Sequence, residues 1–243
     1  EVYSDVEQKS IVKLPVLKNT FVKTFPIEKP KIKYTYRKQN IPKTSIIQKL
    51  EKVFNHISVA GKGYLVNKVD RSVGGLIVQQ QCVGPFQLPL SNYSIVKNSF
   101  NSGSGLVSAI GEKPINGIYD LESMVDMTVS EMLTNIIWGN IDELDKINSV
   151  ANWMWSSTEP QEAYKLRKAL HILVDRVNKI GFSINGGKDS LSMNVKVNEE
   201  KVKGPNTLVL SGYTTTNSYR KRVTPYLKSI NSKLLLLKIN NKK

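Results

Sequence analysis

Residues Asp70–Asn92 read DRSVGGLIVQQQCVGPFQLPLSN, and this stretch decides the fold. The Gly74-Gly75 step allows the backbone to turn, or to approach a neighbour where a Cβ atom would clash. The apolar run after it is bounded by Gly and Pro, which indicates a buried or an edge strand within residues 73–81. The three consecutive glutamines that end this run cannot all face a core, because each buried amide needs partners for its donors and acceptors. Taken alone, these residues favour a strand followed by a polar loop.

Five further motifs follow in order along the chain: GEKP from Gly111, EMLTN from Glu131, ANWMW from Ala151, GGKDSLSM from Gly186 and VTPYLK from Val223. Together with DRSVGGLIVQQQCVGP and PLSN, they resemble the synthetase part of the phosphoribosylformylglycinamidine synthase family. The motifs are collinear across roughly residues 45–240 and match the second of the two repeated halves of that family. The resemblance implies that the chain is a piece of a much longer enzyme.

The length and composition of the chain limit the classes of protein to which it can belong. A chain of 243 residues with 40% hydrophobic residues suits one domain with extensions. The sequence contains no apolar window of the length that a membrane span needs. Its single cysteine, Cys82, excludes an internal disulfide framework, and with only two histidines it excludes a Cys/His zinc cluster. We therefore expect a reducing, cytoplasmic setting.

The net charge of +15 raises the hypothesis of nucleic-acid binding. The lysines are scattered, however, and no RNA- or DNA-binding signature accompanies them. These observations disfavour nucleic acid as a partner, and anionic small molecules suit the charge equally well.

The N-terminal region differs in character from the rest. Four prolines within residues 1–44 exclude a long helix and predict an extended connector. Residues 45–228 are predicted to form the main domain, beginning with a helix over Ile46–Phe54 that Ser45 caps. Residues 229–243 are predicted to begin a following domain that is truncated here, with Lys233–Leu237 as its first strand.

Periodicity predicts the remaining elements. Strands are expected at 64–68, 73–81, 93–98, 193–197 and 207–214. An apolar stripe at steps of three and four predicts one helix from Asp120. A second helix is predicted to begin near Pro160, with Thr158 as its cap, and to end at Gly181. The resemblance implies a further helix over Gly105–Ile110. It also implies an α+β fold, the aminoimidazole-ribonucleotide-synthetase-like N-terminal domain, with a mostly antiparallel sheet covered by two long helices.

Glu131 and Asn135 form the candidate metal site. Four residues apart on one helix, they project from the same face. Their oxygens suit Mg²⁺, although an exposed pair on a solvated face is the commoner outcome. The resemblance matches both residues to metal ligands of the family. The third ligand it implies is an aspartate, and here Asn92 stands in its place, which should weaken Mg²⁺ binding.

Three residues are candidates for binding the nucleotide, ATP or ADP. Lys62 lies between two glycines, so its ammonium could reach a phosphate or could simply be solvated. Lys188 lies in a Gly-rich stretch that could form a phosphate-binding loop or a sharp hairpin connection. The resemblance favours binding at both positions, and it adds Ser91 of the PLSN motif. No catalytic residue can be assigned.

The resemblance implies part of a purine-biosynthesis enzyme that converts formylglycinamide ribonucleotide, ATP and glutamine to formylglycinamidine ribonucleotide. This chain would supply an auxiliary nucleotide and Mg²⁺ site and a structural half, and would be inactive alone. Its partners would be the remaining synthetase half and the glutaminase domain. The alternative is a non-catalytic interaction protein derived from the same enzyme, as among viral tegument proteins. Other enzymes of the superfamily are disfavoured by QQQCVGP and NWMW.

Overall fold

The structure is a computed structural model that describes residues 27–29, 45–66, 71 and 74–237. The predicted connector over residues 1–44 lies outside the described residues apart from 27–29. In that short piece the N–H of Glu28 donates a hydrogen bond to the carbonyl of Pro160 at 3.1 Å.

Two short helices precede the sheet. Helix α1 spans Ile46–Phe54 with Ser45 as its cap, as predicted. The structure adds a reciprocal contact, since the side chains of Ser45 and Gln48 form a capping box. Helix α2 spans Gly63–Val66, so the strand expected over 64–68 is wrong for residues 64–66, and 67–68 lie outside the described residues. Such a short apolar run does not distinguish a strand from a helical turn.

One six-stranded sheet organises the domain, in the order β1-β2-β3-β8-β4-β5. All neighbours in it are antiparallel except β4 and β5, which are parallel and are joined by a helix. A separate hairpin pairs β6 with β7. The strands are β1 Ile77–Gln79, β2 Tyr93–Lys97, β3 Gly105–Glu112, β4 Asn148–Met154, β5 Ser183–Ser190, β6 Asn194–Val197, β7 Glu200–Lys203 and β8 Thr207–Thr216.

Two of the predicted elements are corrected by this sheet. Gly105–Ile110 is not a helix but most of strand β3, whose residues alternate between buried and open positions and pair with both β2 and β8. The strand carries apolar residues on both faces, so the sequence does not show the alternation of apolar and polar residues that usually indicates a strand. The predicted loop over Gly186–Met193 is also wrong for residues 186–190, which belong to edge strand β5.

The two long helices confirm the α+β prediction. Helix α4 spans Leu121–Ile136 with Asp120 as its cap, and helix α5 spans Pro160–Ile180 and ends at Gly181 in the left-handed conformation. The cap of α5 is Glu159 and not Thr158. A short helix, α3 at Pro114–Tyr119, leads from β3 into α4.

One face of the sheet and these helices share a single core. The alternate residues of four strands join apolar residues of both helices. The buried members are Tyr93, Ile95, Val107, Ala109, Ala151, Trp153, Leu208 and Leu210 from the strands, and Met124, Val125, Val129, Met132, Ile136, Ala169, Leu173 and Val177 from the helices. The opposite face leaves apolar side chains open to solvent, with Val96 36%, Leu106 43% and Ile110 54% exposed.

Glycines set the distance between α4 and the sheet. A Cβ atom at Gly111 would lie 2.1 Å from the carbonyl oxygen of Thr128, and one at Gly212 would lie 2.3 Å from the Sδ atom of Met132. These separations are far below van der Waals contact. The helix therefore lies directly on the backbone of β3 and β8.

Polar contacts fasten α5 at both ends. Arg176 binds the carboxylates of Glu122, Asp126 and Asp175, and thus ties α5 to α4. At the other end the buried Glu162 accepts a hydrogen bond from Asn206 at 2.6 Å. Burial alone would raise the pKa of Glu162, but this hydrogen bond and the adjacent lysines outweigh it and lower the pKa.

The two tryptophans of the ANWMW motif pack in and beside the core and have a structural role. Trp155 is fully buried, and its indole N–H donates to the carbonyl of Glu162 at 2.9 Å. This hydrogen bond satisfies a donor that would otherwise be buried without a partner. The rings of Trp153 and Trp155 lie 6.0 Å apart between centroids.

The C-terminal segment has little regular structure. After a 3₁₀ turn at Tyr219–Lys221, residues 222–237 contain no helix or strand, and the side chains of 234–237 are almost fully exposed. The strand expected over Lys233–Leu237 is therefore not formed. Among the described residues no helix is both long and apolar enough to cross a membrane.

Candidate nucleotide and metal site

Glu131 lies on α4 where that helix crosses the end of β3. One carboxylate oxygen, Oε2, accepts the backbone N–H of Glu112 at 2.7 Å. The other, Oε1, forms an ion pair with the Nζ of Lys113 at 2.5 Å. Both oxygens are thus engaged, and the side chains of Glu131 and Lys113 remain about a third exposed (29% and 31%). The ammonium occupies the position that a bound cation would take beside this carboxylate.

Asn135, one turn further along α4, faces the same strand. Its Nδ2 donates to the carbonyl of Ile110 at 3.1 Å. This bond uses the amide nitrogen, so the side-chain Oδ1 is the atom that could ligate a cation. The geometry agrees with the expectation that Glu131 and Asn135 project from one helix face.

Asn92 and Ser91 approach this end of the sheet from β2. Tyr93 pairs with Ala109, which places Asn92 beside Ile110, whose carbonyl Asn135 binds. Asn92 is exposed, whereas Ser91 is buried and donates a long hydrogen bond to the carbonyl of Tyr93 at 3.4 Å. Backbone pairing therefore brings the three predicted metal residues to one end of β2, β3 and α4.

The oxygen donors present fit Mg²⁺ in kind but hold little charge. Asn92 and Asn135 are neutral, so Glu131 supplies the single carboxylate of the set, and Lys113 neutralises it. Within the described part of the chain, no group of three or more His, Cys, Asp or Glu side chains could hold a metal. A dication at this place would have to displace the ammonium of Lys113.

The two predicted phosphate-binding lysines are not in contact with this group. The Nζ of Lys62 donates to the carbonyl of Ala60 at 2.7 Å, within its own loop. Lys188 is exposed on edge strand β5, where its Nζ donates to the Oγ of Ser190 at 2.8 Å. The register of the sheet aligns Lys188 with Glu112, but two strands lie between them. Three inter-strand distances separate the backbones of the two residues by about 14 Å.

Lys113 is the side chain in contact with the candidate site that the sequence did not point to. It belongs to the GEKP motif, which supported the resemblance without receiving a role. The spacing of Lys113 and Glu131 along the chain gives no sign of contact, because α3 and the first half of α4 lie between them. The position of the lysine within a matched motif was the one available signal.

Comparisons with known proteins decide the family. The sequence model of the family described as FGAR-AT PurM_N-like domain matches residues 61–215. The chain belongs to this family. The solved structure of PurLQS from Thermotoga maritima has a TM-score of 0.50 at 14% identity, covering 84% of this chain and 29% of that one, and it supports the fold alone.

Curated relatives of this PurM_N-like domain bear the name phosphoribosylformylglycinamidine synthase. The protein of Drosophila melanogaster is 42% identical over 204 residues, which are 83% of this chain and 15% of the relative. The human protein is 41% identical over 187 residues, 77% of this chain and 14% of the relative. The Saccharomyces cerevisiae protein is 31% identical over 241 residues, which are 93% of this chain and 18% of the relative. The chain thus spans less than a fifth of the length of each.

Proposed function

We propose that this chain is part of an ATP-dependent enzyme that converts formylglycinamide ribonucleotide, ATP and glutamine to formylglycinamidine ribonucleotide in purine biosynthesis. The names of the relatives and the family membership support this proposal. Since the chain spans less than a fifth of those relatives, the activity would belong to the longer protein. The remaining synthetase half and the glutaminase domain are the proposed partners, in the cytoplasm. Residues 45–228 are the proposed domain, between a connector at 1–44 and the start of another domain at 229–243.

The role proposed for this domain is an auxiliary nucleotide and Mg²⁺ site together with a structural half. The convergence of Asn92, Glu131 and Asn135 at one end of the sheet carries the proposal. Glu131 and Asn135 are held in place by backbone groups of β3, so their oxygens are oriented before any ligand arrives. A bound Mg²⁺ would screen the charge of the nucleotide phosphates. Lys62, Ser91 and Lys188 are the proposed nucleotide-binding residues.

The binding test is a calorimetric titration of the chain with ADP in the presence of Mg²⁺. We expect weak binding that Glu131→Ala and Lys62→Ala weaken further. The helix should survive Glu131→Ala, because alanine is a better helix former than glutamate. Glu143→Ala is the matched control, since Glu143 makes an exposed ion pair with Lys146 outside the site. Binding that Glu131→Ala leaves unchanged would refute the site.

An activity assay separates the roles of the two halves. The isolated chain, given ATP, formylglycinamide ribonucleotide and either glutamine or ammonia, should form no amidine product. Ammonia-dependent turnover by the purified chain would contradict the proposed division. The non-catalytic alternative predicts no nucleotide binding that depends on Glu131, so the titration distinguishes it as well.

A further inference from the structure

A cleft with a lining different from the residues of the candidate site lies between the strand β1 region and the segment that follows β8. It has a volume of about 340 Å³, within the range of small-molecule pockets. None of the predicted nucleotide or metal residues lines it. The lining residues that matter for its chemistry and shape are Gln79, Gly84, Arg220, Arg222, Tyr226 and Lys228.

The charge of this cleft is of one sign. Arg220, Arg222 and Lys228 contribute three cations, and no acidic side chain is among the described residues that line it. The ion pairs formed within the described part of the chain include none of these three. Three neighbouring cations without a carboxylate repel one another, so an anion in the cleft would be stabilised.

Arg222 is held in a fixed orientation at the cleft. Its Nε donates to the Oε1 of Gln79 at 3.0 Å, and one Nη donates to the carbonyl of Tyr219 at 3.1 Å. Gln79 is only 2% exposed, so it forms a buried anchor for the guanidinium. This explains why one glutamine of the QQQ run is buried: its amide oxygen serves an arginine that lies 143 residues away in sequence.

The walls of the cleft are also fixed to the core. The hydroxyl of Tyr93 donates a hydrogen bond to the carbonyl of Val223, which lies between Arg222 and Thr224. On the facing loop Gly84 adopts a φ of 77°, and a Cβ atom there would lie 3.1 Å from the ring of Tyr226. A glycine at this position thus allows the loop to turn and to lie against Tyr226.

We propose that this cleft binds the phosphate group of a phosphorylated small molecule. Guanidinium groups match the geometry of phosphate oxygens through paired N–H donors, and an ammonium adds a further charge. Thr224 and the exposed amide of Gln87 add neutral donors among the lining groups. A singly charged carboxylate would leave most of the positive charge of three cations uncompensated, whereas a phosphate or diphosphate neutralises more of it.

Calorimetric titration of the full chain with inorganic pyrophosphate, at constant ionic strength, tests the proposal. Arg220→Gln and Lys228→Gln should each weaken binding by about tenfold, because each removes a charged donor to the anion. Both side chains are exposed, so the variants should retain the melting temperature of the parent chain. Acetate at the same concentration should compete poorly.

The chain offers a matched control in Lys221. It is the last residue of the 3₁₀ turn, between Arg220 and Arg222 in sequence, but it does not line the cleft. Lys221→Gln removes the same charge and should change the affinity for pyrophosphate by less than about twofold. If Lys221→Gln weakens binding as much as Arg220→Gln does, the effect is general electrostatics and the proposal fails. It fails equally if pyrophosphate does not bind, or if it binds and neither cleft variant weakens it.

Discussion

The carboxylate of Glu131 pairs with the ammonium of Lys113 at 2.5 Å, so a cation of the protein itself occupies the position assigned to Mg²⁺. Both partners are about a third exposed, so water and ions can reach the pair. Metal binding at this position is therefore an exchange of one cation for another. The affinity for Mg²⁺ depends on the strength of the ion pair as well as on the number of ligands.

Replacing the competing ammonium tests this exchange. Lys113→Met should tighten Mg²⁺ binding several-fold, because Glu131 regains an uncompensated charge. Titration with Mg²⁺ followed by the backbone amide signal of Glu112, which donates to Glu131, provides the measurement. Lys146→Met is the control, since it removes a lysine from an exposed pair with Glu143. An unchanged midpoint for Lys113→Met would show that the ammonium and the metal do not compete.

Adding a charge at Asn92 tests the same site from β2. Asn92→Asp should tighten the binding of Mg²⁺ with ADP, because a second carboxylate then faces the dication. Asn101→Asp adds the same charge in the turn between β2 and β3, beyond the opposite end of β2, and should have little effect. Calorimetry on both variants makes the comparison. Should the two behave alike, Asn92 does not face the metal.

The contact between α4 and β3 predicts a sharp effect on stability. Gly111→Ala places a Cβ atom 2.1 Å from a backbone oxygen of α4, so the helix must shift, at a cost of about 1–3 kcal/mol in the free energy of unfolding. Gly186→Ala, which has no atom within 4 Å of the new Cβ, should be nearly neutral. Urea denaturation measures both. Equal stabilities would mean that the helix is free to move away.

The raised pKa of Tyr93 predicts that the free energy of unfolding decreases at alkaline pH. Burial raises its pKa to about 12 from the ordinary value of 10, partly offset by the nearby Arg222. The unfolded chain therefore releases this proton first, so the contribution of Tyr93 is complete below about pH 10 and falls as the pH rises toward about 12. Denaturation of the parent chain and of Tyr93→Phe, compared over this interval, should show the steeper decline in the parent. Parallel curves would contradict the assignment.

The uncovered face of the sheet predicts self-association. Its apolar side chains include Leu106 and Ile110, and exposed patches of this kind favour contact between molecules. In sedimentation at micromolar concentration the chain should dimerise or aggregate, and Leu106→Glu should reduce this. Val174→Glu places the same charge at an exposed apolar position of α5 and serves as the control. A compact monomer of the parent chain would count against pairing through this face.

Elements with one dominant periodicity were predictable from the sequence. The stripes of α4 and α5 were found with nearly correct ends, and strands β2 and β8 lie where alternation placed them. Strand β3 was not found, because Leu106 and Ile110 are apolar on its open face and erase the alternation. Strand β5 was missed because Gly186-Gly187 suggests a loop, whereas Gly187 packs against the carbonyl of Ala151 in the neighbouring strand.

The candidate site was predictable only in part for a similar reason. A fixed spacing on one helix identified Glu131 and Asn135, and a matched motif identified Asn92. The contact with Lys113 depends on how α4 lies over the end of β3, and such packing leaves no local pattern in the sequence. The same holds for the anchoring of Arg222 by Gln79.

Strand β3 pairs on one side with β2, its neighbour in sequence, and on the other with β8, about a hundred residues further along. Synthesis proceeds at about 5–20 residues per second, so a ribosome that has finished β3 delivers β8 about 5–20 s later. During that interval the inner edge of β3 has no partner, although α4 can already cover its face. Glu112, whose backbone N–H binds Glu131, thus belongs to a strand whose second hydrogen-bonding edge is completed only when nearly the whole domain has been made.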